Sequence, residues 1–393
     1  MSMRVLVTDA DTRAALAVTR SIGRRGHQII VADSKSRSLS GASKYCGGSH
    51  RYPNPSIDEA GFVASLSEFV RAKHIDVVLP MTDITTMVIT QHRHEFEPHA
   101  AVPVPSFDVI AKAADKVHVI RSAERLGVAI PRSLFVTEAS EGSRVSSDLP
   151  YPVVVKPRRS RVRGVAGWEA LSVSYAADAA ELERRLSSLP ADAFPVIVQE
   201  RIKGPGVGVF MCYANGAPVA EFAHRRLREK PPTGGVSTLC ESMAMTPELR
   251  EAARTLLDDL GWSGVAMVEF KVDNRTGRPL LMEINGRFWG SLQLATDAGV
   301  DFPSVLLDSL HHDVRPASPP YRVGVQSRWL WGDFDSLLLR LLQARSSDGS
   351  GGKMRSVLDF LHLWHRDMRY ENPRLSDIGP WFRETSQRLF EHP

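Results

Sequence analysis

Residues 264–286 read GVAMVEFKVDNRTGRPLLMEING, two apolar runs around the turn-forming stretch DNRTG (273–277). The turn chemistry predicts a β-hairpin. Centring the reversal near Thr276 sets Glu269 opposite Glu283, with Asn285 two residues further along the same face. Like charges directly across a strand pair destabilise it. A shared divalent cation reverses that sign, and two carboxylates with an amide oxygen suit Mg²⁺, which keeps water and phosphate ligands as well. A solvent-facing strand pair with its register displaced by one residue is the competing reading. Arg287 follows at once, and FWGSLQLATDAG (288–299) reads as a helix start, so an anion site beside the carboxylates is expected.

The first hundred residues alternate strand and helix. RVLVTD (4–9), QIIVAD (28–33) and DVVLPM (76–81) read as buried strands. Between them lie a helix marked by Ala14, Leu16, Val18 and Ile22, and one capped by Ser56 that carries Phe62, Leu66, Phe69 and Val70. This βαβ series predicts a parallel, doubly wound sheet. The first turn, TDADTRAA, lacks G-x-G-x-x-G, which removes the main support for dinucleotide binding. From 108 a polar helix is expected to hold Asp115 and Lys116, ending at Gly127 and Pro131. YPVVVKPRRS (151–160) is a strand with Lys156 near its end, and a helix follows over 178–189. Paired strands are expected over 195–202 and 206–226, the second reversing at Asn215-Gly216 as a type I′ turn. A helix over 247–260 leads to the carboxylate hairpin. Past Pro316–Pro320 the chain becomes rich in Trp and Arg, with a Gly/Ser linker at 346–352, and Trp329, Trp331, Trp364 and Trp381 read as core of that segment.

At 393 residues the chain needs two or three packed units. Its 43% hydrophobic and 24% charged residues are those of a soluble globular protein. No apolar run is long enough to span a bilayer, so no membrane partner is expected. The strand-like N-terminus leaves no room for a secretory signal, and Cys46, Cys212 and Cys240 form no disulfide or zinc pattern, which fits the cytoplasm. Net charge is +4, with Arg concentrated in RRSRVRG (158–164) and HRRLREK (224–230). Only 7% of residues are aromatic, too few for the stacking surface of a nucleic-acid binder, so these clusters point to small phosphates or carboxylates. A homodimer is compatible with the sequence, which does not fix the oligomeric state.

Glu269 in MVEF and Glu283/Asn285 in MEINGR resemble the metal signature of the ATP-grasp superfamily, and further motifs follow in the family's order over about residues 110–310. Lys116 in DKVHVIRSAERLGVAIP looks like the lysine that reaches the ATP phosphates, and Lys156 in VVVKP like the second nucleotide lysine. VQERI (198–202) is similar to the adenine hinge, with Gln199 and the backbone of Glu200 and Ile202 as contacts. The resemblance implies mixed α/β and α+β architecture. A pre-ATP-grasp Rossmann-like βαβ domain would span 1–107. An ATP-grasp fold, two α+β subdomains clasping ATP, would span 108–314, with the lid at about 130–200. A mostly helical C-terminal extension would occupy 315–393. The sequence departs from the family in two places. The loop after Lys156, usually glycine-rich, is RRSRVRGVAGW, and KGPGVG (203–208) offers no ribose-binding Glu.

The same resemblance implies an ATP-dependent carboxylate–amine ligase with Mg²⁺ as cofactor and Mn²⁺ as a substitute. Glu269, Glu283 and Asn285 would hold the metal. Arg287 would steady an acyl phosphate, and Arg225 or Arg226 would meet substrate or the transferred phosphate. The substrates would be a small carboxylic acid and an amine, with an amino acid or peptide as the natural class. The rivals are an ATP-grasp carboxylase, a non-catalytic nucleotide-binding sensor or scaffold, and an NAD-dependent oxidoreductase.

Overall fold

The computed structural model describes residues 2–142, 149–164, 167–232, 234–310, 320–343 and 350–391. The expected boundary at Pro316–Pro320 lies outside these residues through 319, as does the linker through 349, while residues 350–352 open a helix.

The N-terminal unit is a parallel sheet of four strands, β1 (Arg4–Val7), β2 (Gln28–Asp33), β3 (Cys46–Arg51) and β4 (Val77–Leu79), in the order β3-β2-β1-β4. Helices α1 (Arg13–Arg24), α2 (Glu59–Lys73) and α3 (Asp83–Gln91) connect and cover it. The sequence missed β3, whose CGGSHR carries no apolar run and exposes every second residue. The cap of α2 is Asp58, which accepts from the Gly61 N–H, and not Ser56. The single helix expected around residue 115 is two, α4 (Phe107–Ala114) and α5 (Lys116–Arg125). Asp115 lies between them, and its side chain caps α5 through the His118 N–H. The break puts Lys116 at the first position of α5.

The region expected as the lid, and called so below, is a second, antiparallel sheet. It contains β5 (Ser133–Val136), β6 (Val153–Pro157), β9 (Ser174–Ala176) and β10 (Val196–Glu200), ordered β5-β10-β6-β9, with the hairpin β7 (Arg161–Gly164) and β8 (Gly167–Ala170) beside it. Helix α6 (Ala179–Ser187) packs Leu182 and Leu186 onto Val153, Val155, Val196 and Val198.

The third sheet has seven strands, β11 (Gly206–Ala214), β12 (Ala217–Lys230), β13 (Val236–Ser242), β14 (Gly264–Val272), β15 (Pro279–Asn285), β16 (Gln326–Arg328) and β17 (Met368–Tyr370). Their order is β15-β14-β11-β12-β13-β16-β17. The expected pairing of 195–202 with 206–226 is therefore corrected. β10 bonds β5 and β6, β11 bonds β12 and β14, and the chain changes sheet between Glu200 and Gly206. The β11–β12 reversal does fall at Asn215 and Gly216, both at positive φ (52° and 75°), as a type I′ turn requires.

Both faces of β11, at the centre of this sheet, are buried. On one, Val207, Val209 and Met211 meet α7 (Pro247–Asp259) and the α4–α5 pair. On the other, Phe210, Phe222 and Trp289 join Val5, Val7, Val18 and Ile22, with α8 (Leu292–Ala298) and α9 (Phe302–Asp308) completing the cluster. The N-terminal unit and the large sheet thus share one apolar core. Among the described residues no helix is long and apolar enough to cross a membrane.

The C-terminal segment contains α10 (Leu330–Gln343), α11 (Ser350–Leu361) and α12 (Gly379–Ser386), and it also lends β16 and β17 to the sheet. Trp364 is 75% exposed, so it is not core, and Trp329, Trp331 and Trp381 are half-buried. The segment is stitched to α1 by a fully buried Arg20. Its Nε donates to Asp377 at 2.7 Å, and its other donors reach the carbonyls of Glu371, Asn372 and Asp377. Removing one partner of such a pair strands a charge in low dielectric. Asp377→Ala is expected to destabilise the protein by about 3–5 kcal/mol, read as a lower Tm or denaturation midpoint; a loss below ~1 kcal/mol in urea unfolding would contradict this account.

Candidate functional site

An open cleft of about 390 Å³ separates the lid sheet from the large sheet. Its floor is the β14–β15 hairpin, in which Glu269 pairs with Glu283 and Met267 with Asn285. A register shift just after Glu269 leaves that opposition intact. The two carboxylates therefore face each other, as the turn position in the sequence implies.

Each carboxylate is met by a cation from a different element. Lys116 Nζ, at the start of α5, lies 3.2 Å from Glu283 Oε2 and donates to Ser160 Oγ at 2.8 Å. Arg226, from β12, donates to Glu269 and pairs with Glu229 at 3.2 Å. Asn285 Nδ2 donates to Glu283 Oε1 at 3.1 Å, while its Oδ1 accepts from Arg287 at 3.3 Å. Burial opposes ionisation of both carboxyls, with opposite net outcomes. Glu269 is raised, since burial and the neighbouring Glu283 outweigh Arg226. Glu283 is lowered, since Lys116, Asn285 and Lys156 outweigh its burial. The set offers two carboxylates and an amide on one strand face. Hard oxygen ligands of this kind fit a divalent cation such as Mg²⁺.

Lys156 closes the cleft from the lid side. It is 9% exposed, and its Nζ lies 3.8 Å from Met282 Sδ. Burial pulls its pKa down to about 8, against the attraction of Glu283. On the hinge, Gln199 is buried and donates to Ser133 Oγ at 2.8 Å. The Glu200 carboxylate is taken by Arg275 at 2.5 Å, so its side chain is occupied, and Ile202 is buried at the cleft edge. Arg287 is anchored by Asp83 at the first position of α3, with Nε donating at 3.0 Å. That carboxylate holds the half-buried guanidinium charged against the cost of burial.

Of the expected residues, Lys116, Lys156, Gln199, Glu200, Ile202, Arg226, Glu269, Glu283, Asn285 and Arg287 line this one cleft. Arg225 does not. It projects to the other side of β12, where it pairs with Glu241 and is 53% exposed, because neighbouring strand residues face opposite ways. Sequence reading also missed Asp83 and Ser160. Asp83 follows Thr82, which forms a capping box with Thr85 just after β4, a signal visible as T-D-I-T. Ser160 lay hidden among arginines.

The arginine-rich loop after Lys156 is held down on several sides. Lys116 N–H donates to the Arg158 carbonyl, Arg158 pairs with Asp115 at 2.5 Å, and the Trp168 N–H donates to the Ser56 carbonyl at 2.9 Å. Two of these contacts are backbone hydrogen bonds and one is an ion pair, so the loop is tied to α5, to Asp115 and to the N-terminal unit. Val165 and Ala166 of that loop, and Thr233 of the 224–238 segment, lie outside the described residues.

Comparison with known proteins agrees with this architecture. Residues 192–332 match the family described as "ATP-grasp in the biosynthetic pathway with Ter operon". The carbamoyl phosphate synthase large chain of Thermus thermophilus is 25% identical over 232 residues, which span 54% of this chain and only 22% of that one. Among solved structures, an L-amino acid ligase from Bacillus licheniformis is similar with a TM-score of 0.61 at 15% identity, covering 80% of this chain and 78% of that one. A biotin carboxylase from Campylobacter jejuni, in a β,γ-ATP complex, gives 0.64 at 16% identity, with 83% and 74% covered. These likenesses establish the ATP-grasp fold.

Gly286 joins β15 to Arg287 at a crowded point. A Cβ there would sit 2.8 Å from both Ile110 Cδ1 and the Trp262 ring. Gly286→Ala is expected to cost about 1–3 kcal/mol by overpacking, measured by chemical denaturation; unchanged stability would show that α4 can withdraw from the cleft floor.

Proposed function

We propose that this chain of ATP-grasp fold is an ATP-dependent ligase that joins a small carboxylic acid to an amine. The observation that carries the reading is convergence. Two lysines from separate elements and the facing carboxylates of one hairpin meet in a single cleft, with Arg226 and Arg287 beside them. The adenine would lie along the hinge at Gln199–Ile202 and the phosphates between Lys116 and Lys156. Glu269, Glu283 and Asn285 would hold Mg²⁺, with Mn²⁺ as a substitute. When bound, the metal neutralises phosphate charge as the terminal phosphoryl group moves.

In the reaction, a substrate carboxylate oxygen attacks the γ-phosphorus and the bond to the β–γ bridging oxygen breaks. ADP leaves and an acyl phosphate forms. The amine nitrogen then attacks the acyl carbon, the C–O bond to phosphate breaks, and phosphate departs as the nitrogen loses its proton. The chemistry needs no side-chain nucleophile. It needs positioning and charge, which the site supplies. Lys116 and Lys156 draw the phosphate oxygens together. Arg287, braced by Asp83, would face the acyl oxygen, and Arg226, held by Glu269 and Glu229, would meet the departing phosphate. The substrates are small molecules rather than nucleic acid or lipid, and the cytoplasm is the proposed setting, all three cysteines being free thiols.

Release of ADP and phosphate from MgATP should require both a carboxylic acid and an amine, and Glu283→Ala should lower turnover by at least ~100-fold through loss of the metal site. ADP release at an undiminished rate in Glu283→Ala would sink the assignment.

Lys156 gives a pH signature. Its pKa of about 8 in the free protein must rise when phosphates bind. Nucleotide affinity is then full below about pH 8 and falls as pH rises beyond it, by up to about tenfold per unit. Lys156→Arg should abolish that slope in calorimetric titrations across pH 6.5–9.5, and a wild-type affinity flat through this window would contradict the role.

A further inference from the structure

Asp9 follows β1 with a φ of 49°, in the left-handed region that residues carrying a Cβ seldom adopt. Backbone held in this way marks a point that the surrounding structure over-determines. Here the surroundings are the starts of two helices. The Asp9 carbonyl accepts from the Thr12 N–H at 3.0 Å and from Thr12 Oγ1 at 2.9 Å, and Thr12 caps α1 by accepting from the Ala15 N–H. The Asp9 carboxylate serves α3. Its Oδ2 accepts from Thr85 Oγ1 at 2.5 Å, from Thr8 Oγ1 at 2.9 Å and from the Met81 N–H at 3.3 Å, while Oδ1 accepts from the Tyr52 hydroxyl at 3.2 Å. All four partners donate, which suits an acceptor-only carboxylate.

Thr85 is fully buried and belongs to the capping box that starts α3. Its Oγ1 accepts from the Thr82 N–H at 3.2 Å while donating to Asp9. The Met81 N–H, one residue before the cap, goes to the same carboxylate. The chain on either side of Asp83 is thus tied to Asp9. Asp83 in turn takes Arg287, through Nε at 3.0 Å and Nη2 at 3.3 Å. The Asp83 side chain is 51% exposed, so packing confines it little and its place follows from the backbone of this first turn. Arg287 lines the cleft, so a shift of the turn is a shift of the brace behind a cleft residue. The other branch ends at the cleft as well, since Arg13, the first residue of α1, also lines it.

We propose that Asp9 is a positioning residue for the ligation. Its carboxylate fixes the first turn of α3 and, through Asp83, holds Arg287 where the guanidinium would meet the acyl oxygen. The inference rests on the ligase reading above for what Arg287 does, but not for where Arg287 sits. Asp9 does not itself line the cleft, so its effect has to travel through α3. Asn at this position keeps the size of the side chain but exchanges one acceptor oxygen for a donor, which leaves a hydroxyl or N–H partner facing an amide N–H. The carbonyl that serves α1 is untouched by that change, so the substitution reads the α3 branch alone.

The test uses the full chain with MgATP and hydroxylamine, offering acetate, succinate and single L-amino acids in turn as the acid and measuring hydroxamate and ADP. With the acid that reacts best, Asp9→Asn and Thr85→Val should each lower kcat by ~10–100-fold, the scale of a misplacement of about 1 Å at a reacting group. MgADP affinity should stay at the wild-type value, because the hinge and the two lysines lie on other elements. Thr85→Ser, which keeps the hydroxyl, should recover most of kcat. Asp9→Asn should add nothing to the loss in Asp83→Asn, since residues acting in series are not additive. Wild-type kcat in the folded Asp9→Asn and Thr85→Val proteins overturns the proposal. So does a loss additive with that of Asp83→Asn, or MgADP affinity falling in step with kcat, the mark of a merely structural role. If the wild-type protein forms no hydroxamate and releases no ADP with any acid, the ligase reading fails on its own. The crystal structure of Asp9→Asn then decides the positioning: Arg287 displaced from Asp83 upholds it, and Arg287 unmoved overturns it. Thr85→Val takes the place of Asp9→Asn throughout if the latter does not fold.

Discussion

Two carboxylates forced face to face in one hairpin are the constraint around which the cleft is organised. Glu269 and Glu283 are cross-strand partners, a placement that costs stability unless positive charge is supplied. The structure supplies it from three directions. Lys116 comes from the helix pair beside the sheet, Lys156 from the lid and Arg226 from β12, two strands away from β14. The cations oppose the repulsion, and under the proposed function the same cations would meet phosphate. A charge pattern unfavourable in isolation is therefore what draws lid, helix pair and sheet toward one point.

The placement of these cations depends on local features that look minor in isolation. Lys116 reaches Glu283 because Asp115 interrupts a helix and caps the next one. Arg287 stays at the inner wall because α3 begins with Asp83. Gly286 lets α4 and Trp262 approach the strand end closely enough to shape that wall. None of these residues needs to touch a ligand for the cleft to depend on it.

The hairpin register was legible in the sequence because side-chain alternation and the DNRTG turn are both local, and together they fix which residues oppose. That Lys116, Lys156 and residues 199–202 belong together was legible from motif order, and the fold brings them to one cleft. Sheet membership was not. β10 and β11 are both apolar runs separated by a few residues, and nothing local distinguishes a hairpin from a crossing between sheets. β3 escaped because its half-exposed, glycine-containing strand has no apolar periodicity, and its pairing with β2 is fixed by tertiary contact. The split at Asp115 was hidden because a capping aspartate and a surface aspartate are the same letter. Arg225 and Arg226 could not be separated until the strand's facing was known. Trp364 shows the limit from the other side, an aromatic residue whose exposure no composition argument anticipates.

The Arg20 anchor carries a consequence for how the chain is made. Arg20 lies in the first helix, but its partners are the carbonyls of Glu371 and Asn372 and both the carboxylate and carbonyl of Asp377. During vectorial synthesis more than three hundred residues separate the emergence of this guanidinium from that of its acceptors. Until then the inner side of α1 must keep a charged group hydrated or tied up elsewhere. The N-terminal unit can collapse early around its parallel sheet, yet its final packing waits for a distant part of the same polypeptide. The ribosome thus releases a protein whose first helix is among the last to settle.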